Sequence, residues 1–371
     1  MNNKKIRAIG AFVLVVLWLG LAVFAWFKPA DELSLSERRA LKQFPTLSGE
    51  TVLKGEFMTA FESYTLDQFP LRDTFRKLKA LVSFNVLDQK DNNGIFLHDG
   101  YAAKVEYPLN EKSVSFALEK FNKIRDRYLK AGGCKIYAAV VPDKSYYLAG
   151  ESGTLTMDYD KLFTMVREGM PWAKYVDLTG DLSLEDYYYT DTHWRQEKLI
   201  PAAARLCQAM GVPAPQAGDY TVTETVKDFY GVYYGQAALP MDSEPLYTMR
   251  SDLLEGCTVL NHETGARTEV YDLGKLTDPK SHDPYDIYLS GATALLTIEN
   301  PNAKTNKELI VFRDSFGSSM IPLLVQGYRT VTIVDLRYMS SDYLNQYIRF
   351  RGQDVLFLYS SLVLNSAFTL K

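Results

Sequence analysis

Cysteine is scarce in this sequence, and the common metal-binding patterns are absent. The 371 residues contain three widely separated cysteines, Cys134, Cys207 and Cys257. An odd and low number does not build a disulfide framework, although one bridge remains open. Neither Cys-x-x-Cys nor His-Glu-x-x-His occurs, so a zinc site has no support in the sequence. We therefore predict no metal and no cofactor.

An excess of positive charge is also lacking. Lys and Arg number 41 against 45 Asp and Glu, which gives a formal net charge of −4. Nucleic-acid-binding proteins usually carry a basic patch, and the sequence shows none, so we set that class of function aside. With 47% apolar and 23% charged residues, the composition is globular and allows a sizeable core.

One long apolar run lies near the N-terminus. Residues 8–27 are uncharged, and a run of 20 residues is about what a helix needs to cross a bilayer. Lys4, Lys5 and Arg7 precede this run and predict a cytoplasmic N-terminus. Because no clean small-x-small cleavage site follows, residues 1–30 are predicted to be a cytoplasmic stub and an uncleaved anchor in the cell membrane. The catalytic domain is then extracellular. A cleaved signal peptide is the alternative.

The rest of the chain is predicted to contain a neck and a larger α/β domain. Residues 31–110 predict a helical neck and leading segment, with a helix over 33–40. From 111 to 371, apolar strand-like runs alternate with helical patterns, which is typical of a mostly parallel sheet covered on both faces. Pro201 is a predicted kink in one of these helices. Residues 213–300 break the rhythm and predict a β-rich insertion or lid.

Two short segments far apart in the chain offer groups suited to acyl transfer. They are Asp191-Thr192-His193-Trp194 and Arg313-Asp314-Ser315-Phe316. A serine hydroxyl is a weak nucleophile until an imidazole takes its proton and a carboxylate orients that imidazole. Ser315 follows an apolar run and precedes small residues, which predicts a strand, a sharp turn and a helix N-terminus beside the hydroxyl. Ser315 is therefore the candidate nucleophile, His193 the base and Asp191 the orienting carboxylate.

These segments also resemble known families. Residues 188–194, Tyr-Tyr-Thr-Asp-Thr-His-Trp, are similar to the motif of the SGNH-like alginate O-acetylation proteins. The chain as a whole resembles more closely the related DHHW family of Gram-positive surface proteins. The matching segments are residues 36–41, 67–73, 91–100, 311–324, 335–338 and 354–359. Because they are spread from one end of the exterior chain to the other, the similarity extends over nearly all of it.

The resemblance implies an SGNH-hydrolase-like three-layer α/β/α fold with a permuted motif order, since the Asp/His motif here precedes the Ser motif. It places the catalytic roles on Ser315, His193 and Asp191. Two positions depart from the usual patterns. Arg313 stands where a glycine is usual, although basic residues are common there in the DHHW group. Thr192 stands at the second position of the Asp-His-His-Trp motif in place of histidine, as in the alginate proteins.

The function implied is that of an extracytoplasmic, membrane-anchored, serine-dependent O-acetyltransferase acting on a cell-surface polysaccharide or exopolysaccharide. An acetylesterase with the same triad remains an alternative, as does a non-catalytic polysaccharide-binding or assembly protein. The backbone N–H of Ser315 is the one oxyanion donor that the sequence names. The resemblance further implies a membrane-bound O-acyltransferase as a partner.

Three residues are candidates for substrate binding. Lys144, after a predicted strand, either lines the cleft and binds an anionic group or is an exposed loop lysine. Trp194 either stacks on a sugar face or packs the motif, and Arg313 is the third candidate. Two of the triad residues also have non-catalytic alternatives. His193 is then a buried core histidine, and Ser315 is a helix N-cap.

Overall fold

The computed structural model describes residues 3–34, 36–239 and 241–371, which fall into two compact units. The first comprises Met1–Asn92 with Tyr234–Pro240, and the second comprises Asn93–Tyr233 with Met241–Lys371. The division thus groups residues 93–110 with the second unit. The boundaries predicted at residues 30 and 110 stay predictions, and residues 1 and 2 of the predicted stub lie outside the described residues.

The first unit begins with a long helix, α1 (Asn3–Phe27). Its stretch Lys4–Phe27 has a mean hydropathy of 2.6 and no buried part, and it is the one described helix long and apolar enough to cross a membrane. The other elements are β1 (Leu33–Ser34), β2 (Arg39–Ala40), α2 (Gly49–Leu53), α3 (Glu56–Asp67), α4 (Arg72–Asn85) and β3 (Asp91–Asn92).

The helix predicted over residues 33–40 is wrong, because β1 and β2 pair antiparallel there. The extended chain lets the Arg39 guanidinium donate two hydrogen bonds, of 2.6 and 2.8 Å, to the carboxylate of Asp67. The same carboxylate accepts the Lys42 N–H at 2.9 Å. These contacts, the Arg39 bonds above all, lower the pKa of Asp67 to about 2. Arg39 therefore binds the end of α3 instead of lying on a solvated helix face.

The second unit is built on an eight-stranded sheet. Its elements along the chain are β4 (Ile95–His98), β5 (Tyr101–Lys104), α5 (Glu111–Ile124), α6 (Lys130–Gly132), β6 (Lys135–Val141), α7 (Lys144–Ser152), α8 (Tyr159–Gly169), β7 (Lys174–Tyr175), α9 (Ile200–Met210), β8 (Thr221–Phe229), α10 (Val232–Ala237), which begins in this unit, β9 (Glu244–Arg250), β10 (Thr258–Asn261), β11 (Arg267–Thr268), β12 (Leu295–Glu299), β13 (Glu308–Arg313), α11 (Phe316–Leu324), β14 (Thr330–Val334), α12 (Leu344–Tyr347), β15 (Asp354–Ser360) and α13 (Ser361–Asn365).

The strand order confirms a mostly parallel sheet. It is β11-β10-β12-β14-β13-β15-β6-β7, and the five strands from β14 to β7 are parallel to one another. The three strands β11, β10 and β12 run antiparallel to their neighbours. Residues 213–300 therefore supply three strands to the central sheet, and their other two, β8 and β9, form a separate antiparallel pair.

The core lies on both faces of this sheet, which confirms the predicted three-layer arrangement. Leu309 and Val311 of β13 share one apolar cluster with α9 and α11, whereas Ile310 and Phe312 share the other with α5 and α8. Successive strand residues point to opposite faces, so one continuous apolar strand serves both layers.

Pro201 lies in the first turn of α9, where its missing N–H is not needed, so the predicted kink is wrong. All three cysteines are free thiols.

Candidate active site

Ser315 lies at the carboxyl end of β13, which has a parallel neighbour on each side, and immediately before α11. Ligand sites in open α/β sheets collect at this edge because the parallel strands all end there. Asp314 holds the turn, since its carboxylate accepts the N–H of Phe316 at 3.0 Å and of Ser360 at 2.7 Å. The side chain of Ser315 makes no capping bond to α11. The half-buried hydroxyl therefore lies at the sheet edge and does not cap the helix.

The structure brings the three predicted triad residues together. His193 Nε2 lies 2.8 Å from Ser315 Oγ, and His193 Nδ1 lies 2.6 Å from Asp191 Oδ1. Asp191 is fully buried, and its carboxylate also accepts the N–H groups of His193 at 3.0 Å and Val232 at 2.8 Å. A carboxylate beside Nδ1 favours the proton on that nitrogen, which leaves the Nε2 lone pair facing the serine hydroxyl.

Aromatic packing fixes the orientation of the imidazole. The His193 ring stacks on Tyr285 with centroids 3.9 Å apart and planes 8° apart, and Phe316 packs on it at 5.0 Å. The Tyr285 hydroxyl is itself hydrogen-bonded to Ser319 Oγ of α11 at 2.7 Å. His193 is only 7% exposed. The ring therefore has little freedom to leave the serine.

A buried glutamate fastens the segment before the Asp/His motif. Glu244, at the start of β9, accepts the N–H of Tyr189 at 3.0 Å and of Thr190 at 2.8 Å, together with the Thr190 hydroxyl at 2.9 Å. Burial raises the pKa of Glu244, and these hydrogen bonds oppose that rise. Sequence reasoning missed both Glu244 and Tyr285, because neither lies in a recognisable motif.

Lys144 lies directly beneath the same segment. It is 1% exposed, and its ammonium donates to the carbonyl oxygens of Tyr188 at 2.8 Å and Tyr189 at 3.3 Å. It also lies 5.1 Å from the ring centre of Tyr233. Burial lowers the pKa of Lys144 to about 7, although the charges of Asp191 and Glu244 oppose the shift. The interpretation of Lys144 as an exposed loop lysine is wrong, and the burial argues against a direct contact with substrate.

Replacing Lys144 with methionine is expected to change how stability depends on pH. Between pH 7 and 10.5 the unfolded chain binds a proton at Lys144 that the folded chain does not. The free energy of unfolding of the wild type therefore rises with pH by about 1.4 kcal/mol per unit from this group alone, and K144M lacks this contribution. Melting temperatures at pH 7 and pH 9 test this expectation. The melting temperature of the wild type, relative to that of K144M, should be higher at pH 9 than at pH 7.

The exposed Lys112 provides the matched control for this comparison. Lys112→Met should leave the pH dependence of the melting temperature as it is in the wild type. A constant difference between K144M and the wild type from pH 7 to 9 would contradict the lowered pKa of Lys144.

Trp194 and Arg313 are fully buried. The Trp194 indole N–H donates to the Phe316 carbonyl at 3.1 Å and to Ser319 Oγ at 2.9 Å, so the ring packs the motif against α11. The Arg313 guanidinium donates to the Gly291 carbonyl at 3.0 Å and lies 3.7 Å from Asp335. Neither side chain has exposed surface to offer a substrate, which argues against their predicted binding roles.

Comparison with known proteins extends the description of the fold. No family model and no curated protein matches the sequence. A solved DHHW family protein from Eubacterium siraeum DSM 15702 matches with a TM-score of 0.60 at 18% identity, over 74% of this chain and 93% of that one. Bacillus cereus PatB1 matches with a TM-score of 0.54 at 20% identity, over 73% and 96%. A PatB1 structure with a sulfonyl adduct gives a TM-score of 0.53 at 18% identity, over 73% and 97%. The likeness to the DHHW family predicted from the sequence is thus confirmed at the level of the fold.

Proposed function

We propose that this protein is an extracytoplasmic, membrane-anchored, serine-dependent O-acetyltransferase that modifies a cell-surface polysaccharide or exopolysaccharide. The observation that carries the proposal is the hydrogen-bonded series Asp191–His193–Ser315, with distances of 2.6 and 2.8 Å. A base within hydrogen-bond reach of a hydroxyl, and itself oriented by a carboxylate, is the arrangement that activates a serine. The shared fold with the DHHW family protein and PatB1 is consistent with this proposal.

The reaction divides into two steps at Ser315. As Oγ attacks the acetyl carbonyl carbon of the donor, His193 Nε2 takes the hydroxyl proton and then passes it to the departing group. The acetyl group is then an ester on Ser315. In the second step His193 Nε2 takes the proton of a sugar hydroxyl as that hydroxyl attacks the ester carbonyl. The bond from this carbonyl to Ser315 Oγ then breaks, and His193 returns the proton to Oγ, which restores the serine hydroxyl. The Ser315 N–H, beside the start of α11, is the proposed oxyanion donor; a single donor of this kind is typically worth about 3 kcal/mol.

An acetylesterase is the second candidate, and one observation favours it. Ser315 is only half-buried, so water can reach an acetyl group carried there. The same two steps then end with water in place of the sugar hydroxyl. A transferase and a hydrolase with the same Ser-His-Asp triad differ in whether water is excluded from the acyl-enzyme.

The apolar helix α1 is the proposed anchor. Its 24-residue stretch Lys4–Phe27 is apolar enough to span a bilayer. Lys4, Lys5 and Arg7 at its start favour a cytoplasmic N-terminus, which leaves everything after the span outside. An anchor of this kind keeps the protein beside a membrane partner, and we propose a membrane-bound O-acyltransferase that exports acyl groups.

Intact mass after incubation with an activated acetyl ester tests the proposal. The full chain in detergent should gain the mass of one acetyl group, Ser315→Ala should gain none, and the exposed-serine control Ser183→Ala should behave as the wild type. Oligosaccharide acceptors then separate the two candidates, because a transferase acetylates the sugar whereas an esterase releases acetate. No adduct and no ester turnover in the wild type, in detergent or in native membranes, would overturn both in favour of a polysaccharide-binding role.

A further inference from the structure

The neck helix α4 presents an apolar face to solvent. Leu71 precedes this helix, Phe75, Leu78 and Val82 lie on it, and Val86 follows it. They are spaced four, three, four and four residues apart, so they lie on one face of the helix. Their exposed fractions run from 38% to 72%. The opposite face carries the buried Ala80 and Ser83. The usual polarity of a surface helix is inverted here, and contiguous apolar surface of this kind marks an interaction site.

Two exposed lysines border this face. Lys79 lies about 40° around the helix from Phe75, and Lys77 lies about 40° from the exposed Leu81, which extends the apolar face on the other side. A lysine at such a border can rest its methylene chain on apolar surface while its ammonium reaches polar groups. An apolar stripe edged by lysines is typical of helices that lie in the plane of a membrane surface.

Aromatic contacts connect this face to the apolar helix α1. The Trp18 ring lies 6.4 Å from Phe69, and Phe69 lies 5.4 Å from Phe75. Trp18 is nine residues before the end of α1 at Phe27, which at about 1.5 Å per residue places this contact roughly 14 Å along the helix from its end. When α1 spans a bilayer, Phe69 therefore reaches the depth of the lipid chains, and Phe75 lies next to it.

We propose that α4 lies on the outer surface of the bilayer, with its apolar face among the lipid chains and Lys77 and Lys79 at the headgroups. This inference rests on the anchor part of the proposed function. The occupant of the apolar face is lipid because the aromatic contacts make that face continuous with the membrane-spanning helix. The neck then acts as a second, peripheral attachment beside the span.

Fluorescent labels at single cysteines test the inference in the full chain. Cys134, the partly exposed native cysteine, is first replaced by serine. An environment-sensitive dye is then attached at Leu78→Cys, at Val16→Cys inside the span, or at Glu119→Cys on the exposed side of α5. Each protein is reconstituted in phosphatidylcholine–phosphatidylglycerol vesicles. The Leu78 dye should show blue-shifted emission and quenching by nitroxide lipids comparable to the Val16 dye, and the Glu119 dye should be quenched by aqueous iodide.

The three positions distinguish the ways of failing. A Leu78 dye that iodide quenches while the Val16 dye remains in lipid would overturn the inference and leave the anchor intact. A Leu78 dye shielded from both quenchers would show that protein, either a second copy or a partner, covers the face, which also overturns it. A Val16 dye that does not meet lipid would remove the anchor on which the inference rests, without bearing on the chemistry of Ser315.

Discussion

Replacing His193 with alanine is expected to lower the rate of Ser315 acylation on the order of 10⁴-fold or more, because the hydroxyl loses the base that takes its proton. The base lies 2.8 Å from the hydroxyl, and no rearrangement is needed for the transfer. Asp191→Asn should cost about 10⁴-fold, since an amide no longer holds the proton on Nδ1 and the ring loses the tautomer that leaves Nε2 free. Turnover of an activated acetyl ester measures both.

A double variant shows whether His193 and Ser315 act as one unit or contribute independently to the rate. Residues that act as one unit are strongly non-additive, so the double variant of His193 and Ser315 should be no slower than either single variant. Thr192→Val is the matched control within the motif, because the Thr192 hydroxyl meets Tyr233 at 3.0 Å and not the imidazole. A His193→Ala variant that keeps most of the wild-type rate would contradict the relay.

The parts of this structure that depend on local pattern could be predicted from the sequence. The strand Lys135–Val141 is a continuous apolar run, and a strand buried on both faces requires such a run. The geometry of Asp191 and His193 is also local, because residues two apart on a short loop can reach each other's side chains. The turn at Ser315 follows from an apolar strand that meets a run of small residues.

Long-range pairing and side-chain direction could not be predicted. Glu244 meets Thr190 from 54 residues away, and Tyr285 stacks on His193 across a still longer separation. No periodicity carries such information, since it depends on how the chain returns to the sheet edge. Lys144 and Arg313 looked suited to a substrate because they are charged and lie at strand ends. Whether such a side chain turns inward or outward is decided by carbonyl partners that the sequence does not reveal.

Gly231→Ala is expected to disable the site through a steric clash under Asp191. A Cβ at residue 231 would lie 2.2 Å from the Asp191 Cα and 2.3 Å from its backbone nitrogen, far inside van der Waals contact. The neighbouring backbone cannot retreat easily. The Gly231 N–H donates to Thr190 Oγ1 at 2.8 Å, and the Val232 N–H donates to the Asp191 carboxylate at 2.8 Å. Forcing extra volume into a packed site typically costs about 1–3 kcal/mol, and here the strain falls on the carboxylate that orients His193.

Melting temperature and ester turnover, measured together, show where that strain goes. Gly180→Ala is the matched control, because no heavy atom lies within 4 Å of a Cβ built there, and it should leave both quantities unchanged. For Gly231→Ala the melting temperature should fall. The turnover of the molecules that remain folded should also fall sharply, so that unfolding alone does not account for the loss of activity. The orienting bond of 2.6 Å tolerates little displacement, since a shift of about 1 Å in a catalytic group can cost about 100-fold. Wild-type turnover in a stable Gly231→Ala protein would mean that residues 231–233, at the start of α10, do not position Asp191.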